Sequence, residues 1–272
     1  MFDALAGAEV VVHLAAIPAP EVRPASETFR INMLSTYNVF AAAEAHRLSR
    51  VVYASSETVL GLPFDEPPAF APIDETHPQN PVNPYGESKL FIEKALHWYD
   101  VAHSIRSIAL RYFNAAGADP DGEIGEDHDP ETHLIPLVIQ TALGQREQVK
   151  IFGTDYPTHD GSAIRDYIHV TDLASAHVKA IDKLLAGSES QRINLGTGNG
   201  YTVKEVIQTV EKVLAELAPA RMLGQVALRG GDDADIHVQF PAGAHRADRA
   251  LLERPKQFGR DLDRYIGDFV EK

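Results

Sequence analysis

The chain has 272 residues, with 39 acidic against 25 basic side chains and a formal net charge of −14. That balance argues against a general binder of nucleic acid or of anionic membrane surfaces; an anionic small molecule would need a few arginines to overcome the global field locally. The absence of cysteine excludes disulfides, thiolate metal centres and a cysteine nucleophile. No apolar run approaches the ~20 residues that span a bilayer, and the stretch to Ala19 lacks a basic leader, so the expectation is a soluble, cytoplasmic protein that is not membrane-bound.

Val10–Leu14 is a short β-branched run that reads as a buried strand, followed by a proline-rich loop. Glu27–Ala45 carries helical spacing through Phe29, Met33, Tyr37, Phe40 and Ala41. Arg50–Ala54 is a second buried strand running into Ser55-Ser56. Residues 61–84, rich in proline and acidic side chains, read as a loop; Pro84 opens a helix to about Tyr99, and Ser104–Arg111 is a third strand. This alternation predicts an α/β fold with a doubly wound, parallel, Rossmann-like sheet. From about Ala115 the rhythm changes. A helix at Leu134–Leu143, strands at Val149–Phe152 and Asp166–Val170, a helix from Thr171 to Leu185 and a strand at Ile193–Leu195 follow. Thr202-Val-Lys-Glu205 is a capping box opening a helix to Leu217. The expected division is a partial dinucleotide-binding domain over 1–115 and a smaller C-terminal substrate lobe over 116–272. A segment at about 160–185 would return to the parallel sheet.

Tyr85-Gly-Glu-Ser-Lys89 places a tyrosine and a lysine on one helical face, where a nearby ammonium favours the tyrosinate and lowers the tyrosine pKa. Alone the motif is weak, since about 0.3 such pairs are expected by accident. About 30 residues upstream, however, Ser55-Ser56 ends a strand, where parallel sheets carry their functional groups. Strand-end serine followed by Tyr-x-x-x-Lys resembles the catalytic arrangement of the extended short-chain dehydrogenase/reductase family, the NAD-dependent epimerases and dehydratases.

Within that family the blocks Arg111-Tyr-Phe-Asn-Ala-Ala-Gly117, His133-Leu-Ile-Pro136, Ile151–Pro157, Asp160–Val170, Asn194–Gly198 and Arg229-Gly-Gly-Asp232 resemble, in the same order, those of UDP-glucose 4-epimerases. The resemblance implies Ser56, Tyr85 and Lys89 as the catalytic residues, with Ser56 also on the sugar hydroxyl. It implies NAD as cofactor, lined by Leu14, Ala15, Ala16, Asn32, Ser55, Tyr85, Lys89 and Tyr112. A UDP-sugar would be met by Asn114, His133, Leu134, Phe152, Arg165, Tyr167, Arg229 and Asp232. The two arginines would neutralise the diphosphate through fork-shaped, charge-assisted hydrogen bonds. Helices at about 27–45 and 85–99 would form a homodimer. The alternatives are a related nucleotide-sugar dehydratase or sugar dehydrogenase, or a non-catalytic remnant that binds UDP-sugar.

Other features carry less. Gly196-Thr-Gly-Asn-Gly200 imitates a dinucleotide loop but lacks a correctly spaced third glycine, and reads as a turn of the substrate lobe. Glu126-Asp-His-Asp129 with His133 reads as hydrated loop carboxylates, so no metal is expected. His13 reads as a loop or cofactor-lining residue. The family's Gly-x-x-Gly-x-x-Gly fingerprint does not occur: Gly7 is the only glycine before Gly61. The missing part corresponds to two βα units, on the order of 60 residues. The sheet is thus expected to be N-terminally truncated and the chain as written to hold NAD weakly, without the helix N-terminus that cradles pyrophosphate. Leu60 stands where the epimerases carry tyrosine, and the stretch from Ala234 matches poorly.

Overall fold

The computed structural model describes residues 2–18, 23–61, 72–217, 227–230 and 235–239. Its contacts group into two units. The first comprises Met1–Phe113 and Asp172–Gly198, the second Asn114–Thr171 and Asn199–Lys272.

The first unit is built on four parallel strands: β1 (Val11–His13), β2 (Arg50–Ser56), β3 (Arg106–Tyr112) and β7 (Gln191–Leu195), in the order β1-β2-β3-β7. Helices α1 (Ala25–Ala45) and α2 (Pro84–His103) connect the first three strands. The period-2 geometry of a strand explains why Val51–Ala54 of β2 is an unbroken apolar run. Val51 and Tyr53 pack with Val39, Phe40, Ala43, Ile92 and Leu96 of α1 and α2. Val52, between them, packs with Ile108, Leu110, and Ala180 and Leu184 of helix α4 (Val170–Leu185). Helices therefore cover both faces. Helix α2 starts as its sequence dictates: Asn83 Oδ1 accepts from Gly86 N at 2.8 Å and Pro84 occupies the first turn. It runs to His103, one turn beyond the expected end, because Ser104 closes it in a left-handed conformation at φ 54°.

The second unit holds two small sheets of three strands each. In the first, β4 (Asn114–Ala116) runs parallel to β6 (Ile164–His169), which is antiparallel to β8 (Gly200–Thr202). In the second, β10 (Asp235–Gln239) lies antiparallel between β5 (Val149–Phe152) and β9 (Ala227–Gly230). Helices α3 (Leu134–Ala142) and α5 (Val203–Leu217) enclose the core of Ile135, Val138, Ile139, Val149, Ile151, Val206 and Val210. The capping box at the start of α5 is complete: Thr202 N donates to Glu205 Oε2 at 2.8 Å and Glu205 N to Thr202 Oγ1 at 3.1 Å.

One expectation is corrected. Of the segment 160–185 only 172–185 groups with the first unit, because β6 pairs with β4 and β8. What returns to the first unit is most of α4 (Val170–Leu185) together with β7. Thr171, expected to open that helix, lies inside it, because the helix begins directly from the strand. Among the described residues no helix is long and apolar enough to cross a membrane.

Candidate active site

Ser56, Tyr85 and Lys89 all belong to the first unit, at the C-terminal end of β2 and the N-terminal turns of α2. Gly86 makes their approach possible: a Cβ there would stand 2.6 Å from Thr58 O, so any larger residue would push α2 away from the turn that follows Ser56. Ser56 Oγ donates to Glu57 Oε2 at 2.6 Å and accepts from Thr58 N at 3.3 Å. The Tyr85 side chain is hydrogen-bonded to Ser56. Lys89 is buried, and its ammonium donates to Ala54 O at 2.7 Å while lying 5.5 Å from the Tyr85 ring centroid and 5.0 Å from that of Tyr53.

The electrostatics of this group depart from the sequence expectation. Burial pushes the Tyr85 hydroxyl above its ordinary value, Glu57 adds to that, and only the Ser56 hydrogen bond pulls the other way. Lys89 is itself drawn down to about 8 by desolvation, against the opposing pull of Glu93. The ammonium is directed to a backbone carbonyl rather than to the tyrosine oxygen. The protein alone therefore holds Tyr85 protonated.

The residues expected to line a cofactor divide into two sets. Leu14 and Ala15 are exposed after β1, and Ala16 is partly so. Asn32 and Ser55 are instead engaged within the protein. Asn32 Oδ1 accepts from Ile17 N at 2.8 Å, and its amide nitrogen donates to Ile17 O and Ser88 Oγ. Ser55 Oγ donates to Glu93 Oε1 at 2.6 Å. Tyr112 pairs with His177 at 2.7 Å; since His177 Nδ1 lies 2.7 Å from Leu173 O, which can only accept, the tautomer protonated at Nδ1 leaves Nε2 to accept from the tyrosine hydroxyl. His13 is buried on β1 against Thr36 Oγ1 at 2.9 Å, and burial with the nearby Lys89 charge lowers it to about 4. It is a neutral core histidine.

In the second unit, Asn114 Nδ2 donates to Asp166 O at 2.8 Å. His133 is the residue before α3, and Leu134 begins that helix and packs on its core. His133 Nδ1 lies 2.5 Å from Glu126 Oε1 and 3.3 Å from Glu131 Oε1, and the Glu126 hydrogen bond raises its pKa, ahead of the opposing effect of burial. A histidine raised in this way contributes stability that is fully present below about pH 6.5 and is lost as pH climbs through the raised value. His128 joins the same carboxylates, at 3.0 Å from Glu126 Oε1 and 3.7 Å from Glu131 Oε2. Two imidazoles thus face two carboxylates, with the four atoms within 4.8 Å of one another.

Phe152 ends β5 with 69% of its surface exposed. Arg165 Nη1 donates to Ile164 O at 2.8 Å, and no carboxylate pairs with it among the described residues. Tyr167 is different: its ring belongs to the apolar core, where burial raises its hydroxyl to about 12, so the structure gives it a packing role. Arg229 lies on β9 opposite His237, and Asp232 lies outside the described residues.

Sequence reasoning missed a buried network beside the catalytic group. Glu93 forms a two-pronged pair with Arg111, Oε1 to Nε at 2.9 Å and Oε2 to Nη2 at 2.6 Å, with neither side chain exposed. Arg192 Nε stands 3.2 Å from Glu93 Oε2. One signal was available: Glu93 lies four residues beyond Lys89 and eight beyond Tyr85, on the same helical face.

A family model described as the NAD dependent epimerase/dehydratase family matches residues 1–196. A UDP-glucose 4-epimerase of Halalkalibacterium halodurans is 45% identical over 250 residues, 91% of this chain and 71% of that protein. The solved UDP-glucose 4-epimerase from Brucella ovis in complex with NAD superimposes with a TM-score of 0.71 at 43% identity, over 75% of this chain and 62% of that one. The enzyme from Bifidobacterium longum in complex with NAD+ and UDP gives 0.70 at 39% identity, over 77% and 62%. The chain thus spans between 62% and 71% of the length of these relatives.

Proposed function

The chain belongs to the NAD-dependent epimerase/dehydratase family, and from that premise we propose that it interconverts UDP-hexoses at C4. The observation that carries this reading is the group of Ser56, Tyr85 and Lys89 at the end of β2, sunk among buried residues and hydrogen-bonded as proton exchange with a sugar hydroxyl requires. Support also comes from the UDP-glucose 4-epimerases similar to this chain, two of them solved with NAD.

The residues present fit the nicotinamide-ribose half of NAD. A buried ammonium at Lys89 and the Tyr85 hydroxyl can address a ribose, and the exposed Leu14 and Ala15 offer an apolar surface to a flat ring. NAD, when bound, supplies the hydride acceptor that takes C4 to the ketone and returns it on the other face, together with positive charge that would favour the tyrosinate. The protein's own contribution is then specific. Ser56 orients the 4-hydroxyl, Tyr85 takes and returns its proton, and Lys89 anchors the tyrosine while adding positive charge beside it. Asn32 and Ser55, committed to Ile17, Ser88 and Glu93, act by holding the surrounding loop and strand.

For UDP-sugar recognition we propose Asn114, His133, Leu134, Phe152, Arg165, Arg229 and Asp232. The exposed Phe152 ring suits stacking on a base, and Arg165, with no carboxylate partner among the described residues, suits a diphosphate. Arg165→Ala and Arg229→Ala are each expected to weaken UDP binding by roughly 1.5–3 kcal/mol without lowering the melting temperature. Calorimetry with UDP checks this, and unchanged affinity in both variants would sink the diphosphate assignment. The reaction itself is tested by incubating the protein with UDP-glucose and NAD. Redox-neutral appearance of the C4 epimer is expected, whereas net NADH formation would point to a dehydrogenase.

The proposal extends to a homodimer. Helix α1 exposes Leu34 and Tyr37, and α2 exposes Phe91, Trp98 and Val101, with Trp98 at 66%. Phe91, Ala95, Trp98 and Ala102 fall on one face of α2 and line a groove of about 500 Å³. Such contiguous apolar surface suits a second copy of the same face. Trp98→Glu is expected to convert a dimer into a monomer in light scattering; a wild-type protein that is already monomeric would overturn the assignment.

A further inference from the structure

We infer that Glu93 is a positioning residue of the Tyr85–Lys89 pair: its buried carboxylate, one helical turn beyond Lys89, is the counter-charge that keeps the Lys89 ammonium seated against β2. The inference rests on the reading of Tyr85 and Lys89 as the reactive pair.

The geometry supports it in two ways. First, Glu93 grips the residue that lies between both contact points of the pair. Ser55, whose hydroxyl donates to Glu93 at 2.6 Å, is flanked by Ala54, whose carbonyl receives the Lys89 ammonium, and by Ser56, the hydrogen-bond partner of Tyr85. Through Arg111 and Arg192 the same carboxylate ties α2 to β3 and β7. Second, the charges around Lys89 are one-sided. Tyr53 on β2 and Tyr85 on α2 present rings, His13 on β1 is held neutral, and Arg111 on β3 is a second buried cation. Glu93 is the charge that opposes the effect of burial on Lys89. A carboxylate serving Arg111 alone would leave the buried Lys89 ammonium with no opposing charge.

The test is a thermal double-mutant cycle of Glu93→Gln and Lys89→Met on the chain itself, at pH 7 and at about pH 10; it needs no turnover. Lys89 titrates near 8 in the folded protein, below its ordinary value. It is therefore charged in the first condition and neutral in the second. The expected result is that Glu93→Gln lowers Tm more when Lys89 is present than in the Lys89→Met background at pH 7, with the excess fading at pH 10. Additive losses, or an excess that does not change with pH, would show a purely structural tie through Arg111 and overturn the inference. Should Glu93→Gln fail to fold, rescue of folding by adding Lys89→Met supports it, and failure of the double variant refutes it. Absence of epimerase activity in the wild type would count against the reading of the site without touching this cycle.

Discussion

Tyr85→Phe is expected to reduce C4 epimerisation by roughly 10²–10⁴-fold while the protein stays folded. The substitution keeps the ring that the Lys89 ammonium faces at 5.5 Å and removes only the oxygen bonded to Ser56. That hydrogen bond contributes about 1 kcal/mol, too little to unfold a domain. Progress curves with UDP-glucose, read beside a melting curve, separate the two effects. A Phe variant that keeps most of the wild-type rate would remove Tyr85 from the chemistry. The same site predicts an alkaline limb: Lys89 loses its proton as pH passes about 8, and with it the ammonium proposed to address the cofactor ribose.

The largest loss of stability is expected from Arg111→Met. Both partners of the Glu93–Arg111 pair are fully buried, so removing the guanidinium leaves a carboxylate in the interior whose remaining direct contacts are Ser55 and the half-exposed Arg192. Breaking such a pair costs about 3–5 kcal/mol, whereas replacing both members by groups of similar shape is far less costly. Urea unfolding should therefore show a large drop in midpoint for Arg111→Met, with much of it recovered in Glu93→Gln/Arg111→Met. A loss under about 1 kcal/mol in the single variant would mean that the pair is solvated and the burial argument is wrong.

These effects mark the division between what short-range patterns encode and what they cannot. The apolar runs at 10–14 and 50–54, the Pro84 start of α2, the Thr202–Glu205 capping box and the Tyr-x-x-x-Lys spacing each act within about one turn or one strand, and each is legible in the sequence. The parallel sheet follows from them, because strands alternating with helices have few other ways to bury their apolar faces. The C-terminal part was less legible. β6 reads as a strand of the parallel sheet from its residues alone, and only its pairing with β4 and β8 shows otherwise. Likewise nothing local tells that Asn32 reaches Ile17 and Ser88, that Tyr167 turns into a core, or that His133 meets Glu126 and Glu131. The partners of Glu93 lie 18, 38 and 99 positions away at Arg111, Ser55 and Arg192. The sequence by itself determined which residue types could do chemistry and on which elements they sit. The tertiary structure decided their protonation, since burial and the choice of partner set whether a tyrosine, lysine or histidine carries charge, and both depend on residues brought together only by folding.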